Sequence, residues 1–104
     1  MLCIGSEIFV NLPVFFEAFA VTGFSLDLGF DQTISSAVFH NLKMASNGNV
    51  TIRGRAEAQD EMTDLGNFAV KRFMTMELAA PQTVRYLEFT FDDNLVDLQE
   101  VSLF

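Results

Sequence analysis

The stretch FMTMELAAPQTVRYLEFTFDDNLVDLQEVSLF, residues 73–104, decides the fold class of this chain. Its apolar side chains alternate with polar ones, which is typical of β-strands with one buried face. Three strands are predicted here, over residues 73–78, 83–91 and 96–104. A proline turn and an acidic turn separate them, and a bulge near Gln99 and Glu100 would restore alternation in the last strand. The middle strand has apolar groups on both faces, so we expect it to lie inside a sheet.

Further short strands are predicted upstream by the same alternation, over residues 24–28, 33–39 and 50–56. Gly29 opens a predicted turn between the first two, which favours antiparallel neighbours. Gly54 stands where an inward side chain is expected, and this indicates a bulge or a close backbone approach. Residues 57–67 are polar and are predicted to form a surface loop. Short strands separated by turns predict an all-β, antiparallel sandwich or jelly roll.

Length and composition predict one domain. The chain has 104 residues, half of them hydrophobic, which is enough for one core and leaves no room for a second domain. We therefore interpret residues 1–104 as a single domain, in which residues 1–23 are an apolar segment of no single predicted structure. A membrane span is not expected there, because Glu7, Pro13 and Glu17 interrupt a run that would need about 20 apolar residues.

Charge and rare residues limit the classes of function. The net charge is −8, and the 6 basic side chains form no long cluster, so a phosphate backbone would be repelled and nucleic acid is not an expected partner. Cys3 is the only cysteine, which excludes an intrachain disulfide and a thiolate metal site. His40 is the only histidine, and no nucleophile or paired-histidine motif accompanies it. We therefore expect no enzyme activity.

Several short motifs resemble a known family. They are Asp-Leu-Gly at 27–29, Gln-Thr-Ile at 32–34, His-Asn-Leu at 40–42, Asn-x-Thr-x-Arg-x-Arg at 49–55, Pro-Gln-Thr-Val-Arg-Tyr-Leu-Glu at 81–88 and Leu-Gln-Glu-Val at 98–101. In this order they are similar to discoidin-like, or galactose-binding-like, β-sandwich domains. The pattern is most similar to such domains in bacteriophage and prophage virion or tail-associated proteins. The resemblance runs from residue 24 to the end of the chain.

The resemblance implies a non-enzymatic structural or interaction module of a phage or prophage particle, tail-associated, that contacts other virion subunits or copies of itself. Such a protein is made in the host cytoplasm and carried in the virion. The alternative is a carbohydrate-binding module that holds a glycan with the loops at one end of the sandwich, with or without Ca²⁺. A glycan site needs an exposed aromatic ring with convergent polar groups. The only tyrosine, Tyr86, lies in mid-strand, which favours the structural role, although Phe68 could replace it.

The candidate ligand-binding residues are His40, Asn41, Arg53 and Arg55. Arg53 and Arg55 project from the same face of their strand and could hold a carboxylate or sugar hydroxyls. The alternative for these two arginines is cross-strand pairing with Glu77 or Glu88. The alternative for His40 and Asn41 is hydrogen bonding to loop backbone.

The candidate metal ligands are Asp92, Asp93 and Asp97. Closely spaced carboxylate oxygens are the ligands that Ca²⁺ prefers, so Ca²⁺ is the only cofactor considered. The alternative is a solvated acidic turn. We also predict that Arg85, on the apolar face of its strand, is held by a carboxylate such as Glu100.

Overall fold

The computed structural model describes residues 3–4, 6–7, 9–10, 15–20, 22–98 and 100–104. Most of these residues are in β-strands, which we number in chain order. The strands are β1 Cys3–Ile4, β2 Ser6–Glu7, β3 Phe9–Val10, β4 Phe15–Ala20, β5 Gly23–His40, β6 Lys43–Met44, β7 Asn49–Arg55, β8 Thr63–Ala69, β9 Met74–Phe91, β10 Leu95–Asp97 and β11 Glu100–Leu103. In this part of the chain no helix is long and apolar enough to cross a membrane.

The main sheet has the order β3-β11-β5-β9-β7-β8, and β4 also pairs with β5. All pairs in it are antiparallel except β3 with β11. Strand β9 lies along the whole of β5, whereas β4 pairs with the first part of β5 and β11 with its last part. Two short pairs, β1-β2 and β6-β10, lie outside this sheet.

The two central strands, β5 and β9, are each 18 residues long and bend at bulges. After Asp27 the register jumps, so that residues 28–31 of β5 lie opposite the single residue Arg85 of β9. Gly29 has φ of 84°, a left-handed conformation that glycine adopts without steric cost, and its N–H donates to Asp27 Oδ1 at 2.8 Å. Strand β9 has its own extra residues shortly afterwards, between the partners of Ile34 and Ser36. Together the bulges change the direction of both strands.

The bend folds the two halves of the sheet over each other, and the core lies between them. Phe39, near the end of β5, packs against Phe24 at its start, with ring centroids 6.4 Å apart. Phe39 also contacts Phe89 and Phe91 of β9, at 5.4 and 6.0 Å. All four rings are at most 3% exposed. Aromatic pairs at such distances add about 0.5–1.5 kcal/mol each beyond the burial of their area.

Several predicted strands are confirmed, and others need correction. Strand β7 matches the strand predicted over residues 50–56. At Gly54 an added Cβ would lie 2.9 Å from Val84 Cγ1, so the close approach there is made by side chains and not by the predicted backbone. Strand β9 lies between β5 and β7, as expected for a strand with two apolar faces. The strands predicted separately at 24–28 and 33–39, however, are one strand, and so are those at 73–78 and 83–91, because the predicted turns are bulges.

One further prediction was wrong, and another needs a different partner. Residues 63–67, predicted as loop, begin the edge strand β8, whose polarity reflects its exposure. Arg85 is held by a carboxylate, as predicted, but the partner is Asp27 and not Glu100, because the bulge brings Asp27 beside it, with Arg85 Nε 3.0 Å from Asp27 Oδ1. The C-terminal stretch divides between β10, which pairs with β6, and β11, which pairs with β5. The bulge predicted at Gln99 lies outside the described residues.

Candidate functional site

Three loops meet at one end of the sandwich, residues 41–48, 70–73 and 92–94, which we call the end loops. They meet because the fold-over brings the beginning and the end of β5 to the same side. Backbone hydrogen bonds join them: Leu42 N–H donates to the Arg72 carbonyl at 2.8 Å, and Ala45 N–H donates to that of Asn94 at 2.8 Å. A third bond, at 3.0 Å, runs from the Val70 N–H to the Gly48 carbonyl. The end loops therefore form one continuous surface.

Phe73 provides an exposed aromatic ring on this surface. Met74 and Met76 of β9 point into the core, so the alternation turns Phe73 and Thr75 outward, and the Phe73 side chain is 65% exposed. Beside it lies an open cavity of about 310 Å³, at the small end of the usual range for ligand pockets. The cavity is lined by Phe68, Ala69, Lys71, Phe73, Met74 and Thr75.

Arg72 and Asn41 lie together next to this ring. Asn41 has φ of 59°, a left-handed conformation that asparagine tolerates better than most residues. Its Oδ1 accepts a hydrogen bond of 2.9 Å from Arg72 Nε. The guanidinium carbon of Arg72 lies 5.9 Å from the centroid of the Phe73 ring. The hydrogen bond fixes the orientation of the guanidinium group, and its Nη atoms make no hydrogen bond or ion pair within the described part of the chain.

The structure places the four predicted ligand residues in two separate regions. His40 and Asn41 lie at the end loops, where His40 Nε2 is 3.3 Å from Glu100 Oε2. Arg53 and Arg55 lie on the outer face of β7, as predicted, away from the end loops. The four residues therefore do not form one site, and only Asn41 contributes to the surface around Phe73.

The outer face of β7 is a network of polar pairs. Arg53 Nε lies 2.6 Å from Asp64 Oδ1, and its Nη1 lies 3.9 Å from Glu88 Oε1. Pairing with Glu88 was predicted, whereas Asp64 was missed because residues 57–67 were interpreted as a loop. Arg55 Nη1 donates to the Asp60 carbonyl at 3.1 Å.

A second cavity, of about 250 Å³, lies at the other end of β7, where the sheet bends. It is lined by Gly54, Arg55, Ala56, Asp60, Glu61, Thr63, Leu65, Gln82, Thr83 and Val84. Next to it, the Tyr86 ring lies between Arg55 and Arg85, with guanidinium carbons 5.3 and 5.0 Å from its centroid. The hydrogen bond from Arg85 holds the pKa of Asp27 below its usual value, and the Gly29 N–H lowers it further.

The acidic turn uses its described carboxylates to order the end loops. Asp93 accepts hydrogen bonds from Ser46 Oγ at 2.6 Å and from the Asn94 N–H at 2.7 Å, and both lower the pKa of this carboxyl. Asp92 Oδ2 accepts a bond of 2.8 Å from the Asn49 N–H. Among the described side chains, no group of three His, Cys, Asp or Glu residues could hold a metal ion. The side chain of Asp97 lies outside the described residues, so the Ca²⁺ site stays a prediction.

The residues that sequence reasoning missed are Lys71, Arg72 and Phe73. Phe73 was predicted as the first residue of a strand, but its side chain was not considered as a ligand contact. Met74 and Met76 follow it with apolar side chains, and alternation about Met74 places the Phe73 ring on the outer face. No local signal pairs Arg72 with Asn41, because the fold brings them together across 31 positions of sequence.

Comparisons with known proteins identify the fold. No protein-family model and no curated protein matches the sequence. Among solved structures, CpGH89CBM32-6 from Clostridium perfringens is similar with a TM-score of 0.65 and 18% identity, covering 88% of this chain and 75% of that chain. CpGH89CBM32-5 from the same organism, in complex with GalNAc-β-1,3-galactose, has a TM-score of 0.62 and 11% identity, covering 79% and 64%.

A GH29 fucosidase from Ruminococcus gnavus, in complex with fucose, is also similar, with a TM-score of 0.65 and 11% identity. The match covers 92% of this chain and 21% of the fucosidase, so this chain spans about a fifth of that protein. Identities this low establish the fold alone. The structural similarities and the strand order together confirm the predicted fold class: the chain is an all-β, antiparallel sandwich of the discoidin-like, galactose-binding-like type.

Proposed function

We propose that this chain is a non-catalytic carbohydrate-binding module that holds a glycan on the end loops. The observation that carries the proposal is the exposed ring of Phe73, which borders a cavity of about 310 Å³ and has Arg72 and Asn41 beside it. A sugar presents C–H groups on its faces and hydroxyl groups around its edge. A site for it therefore combines one exposed aromatic ring with hydrogen-bonding groups alongside.

The similar structures support this choice over the virion role. Two of the three are named as CBM32 modules, which are carbohydrate-binding modules, and one of these was solved with a disaccharide. The virion role was favoured because the only tyrosine lies in mid-strand, but Phe73 supplies an exposed ring in a loop. The tail association, the virion localisation and the contacts with virion subunits or with copies of this chain stay predictions that no observation on the structure supports.

A glycan array with the folded chain tests the proposal. We expect saturable binding to a defined sugar, and the same array should be run with Ca²⁺ and with a chelator. Binding that is lost in the chelator would support the predicted Ca²⁺ ligands Asp92, Asp93 and Asp97, whereas equal binding in both buffers would show that no metal is needed. A chain that is folded by circular dichroism yet binds no glycan in either buffer would contradict the proposal.

A further inference from the structure

Some basic side chains of this acidic chain have partners within the protein, and others form no ion pair. The net charge is −8, with 6 basic residues against 14 acidic ones. Three of the basic residues have partners within the protein: Arg53 lies 2.6 Å from Asp64, Arg85 lies 3.0 Å from Asp27, and Arg55 donates to the loop carbonyl of Asp60. With so many carboxylates available, a basic side chain near one would normally pair with it.

Lys71 and Arg72 are the exception. Both are exposed on the end loops, and neither forms an ion pair with any residue that the structure describes. Lys71 lines the cavity beside Phe73, and Arg72 lies against the same ring. Lys43 is also exposed and forms no ion pair with a described residue, but it does not line the cavity. One positive charge, that of Lys71, therefore borders the cavity, and a second, that of Arg72, lies against the Phe73 ring.

Three described carboxylates close to the end loops already have partners. Asp93 accepts hydrogen bonds from Ser46 and from loop backbone, and Asp92 accepts one from the Asn49 N–H. Glu100 lies 3.3 Å from the ring nitrogen of His40. Each of these carboxylates orders the fold and lies more than 4.0 Å from the nitrogens of Lys71 and Arg72. The positive charge at the cavity is thus available to a ligand.

From these contacts we infer that the glycan carries a carboxylate, as a uronic acid or a sialic acid does; this inference rests on the proposed function. The two Nη groups of Arg72 form a planar pair of donors that matches a carboxylate, and Asn41 holds this group by its Nε. Lys71 adds a second charge at the edge of the same cavity. These local charges offset the repulsion that the net charge of the chain exerts on an anionic sugar.

Matched pairs of glycans test the inference. The probes are oligomers of galacturonate, glucuronate and mannuronate, each beside its methyl ester, and sialyllactose beside lactose. We expect calorimetric titration of at least one pair to show about tenfold tighter binding of the acidic member, the ratio expected for two exposed charged contacts. In the double variant Lys71→Gln, Arg72→Gln this preference should fall to about twofold or less, because only the acidic member loses charged contacts; the readout is the affinity ratio within each pair, since Arg72 also lies beside the ring that contacts the neutral member.

The double variant Arg53→Gln, Arg55→Gln is the control, because it removes the same number of charges from the outer face of β7. It should keep the preference for the acidic member. Equal affinity for the two members of every pair would overturn the inference and leave the carbohydrate function intact. A preference that survives in the Lys71 and Arg72 variant would overturn the assignment to these residues. Failure to bind any member of any pair, together with a silent glycan array, would overturn the inference and the proposed function alike.

Discussion

Replacing Phe73 by alanine should weaken glycan binding by an amount set by the exposed area of the ring. A fully buried phenylalanine removes roughly 200 Å² from water. Because 65% of Phe73 is exposed, about 130 Å² remain for a ligand, and a sugar on one face of the ring covers about half of that. At about 25 cal/mol per Å², the loss is about 1.6 kcal/mol, or about 15-fold in Kd.

The matched control for this substitution is Phe30→Ala. Phe30 is 67% exposed, nearly the same as Phe73, but it lies in the bulge of β5 at the opposite end of the sandwich. Both variants remove a similar exposed ring, so neither should lower the melting temperature by more than a few degrees. Only Phe73→Ala should weaken binding.

Isothermal titration of the three proteins with the sugar that gives the strongest array signal measures this difference. Equal affinities for the parent and Phe73→Ala would refute the placement of the site on the end loops. A similar loss in Phe30→Ala and Phe73→Ala would show that the effect comes from a general change in the surface and not from a ring that contacts the ligand.

Three further predictions concern the fold. Phe39→Ala should lower the free energy of unfolding by about 3–5 kcal/mol, because it leaves a cavity where both halves of the sheet meet; urea denaturation measures this, and a loss below about 1 kcal/mol would contradict that packing. Gly29→Ala should cost about 1–2 kcal/mol through backbone strain alone, since no atom lies within 4 Å of the added methyl group, and Gly29→Asn should cost less. Asp27→Asn should lower the melting temperature at neutral pH. The folded-state pKa of Asp27 lies below the ordinary 3.8, so its contribution is present above that pH and is lost as the pH falls through the lowered pKa. A difference in melting temperature that persists at a pH well below that value would argue against the ion pair with Arg85 as its source.

Local patterns in the sequence predicted much of the fold. The alternation of Val50 and Ile52 with exposed neighbours specifies a strand because one face of β7 is buried. Sequence alone could not show that β5 and β9 are continuous. Gly29 and Pro81 are residue types that suit a tight turn and a bulge equally well, and only the pairing of both halves with the same partner distinguishes the two.

The candidate site was less accessible to sequence reasoning, because it depends on which loops become neighbours. Asn41 was selected as a hydrogen-bonding residue, but its partner Arg72 is brought to it by the sheet. Arg53 and Arg55 were selected for their shared face, and that face exists, but carboxylates of the sheet and the loop carbonyl of Asp60 already pair with them. The choice between ligand and structural roles thus depended on long-range contacts.

The continuity of β5 and β9 through both layers has a consequence for local unfolding. Neither layer can detach while the other stays intact, because the same two strands run through both. We therefore expect the paired amide protons of β5 and β9, outside the bulges, to exchange with solvent only through global unfolding, and at a common protection level. The edge strand β8 pairs along one side only and is largely exposed, so its amides should exchange sooner. Residues 70–73 connect β8, which opens easily, to β9, which does not. A ligand bound at Phe73 should therefore slow amide exchange in β8.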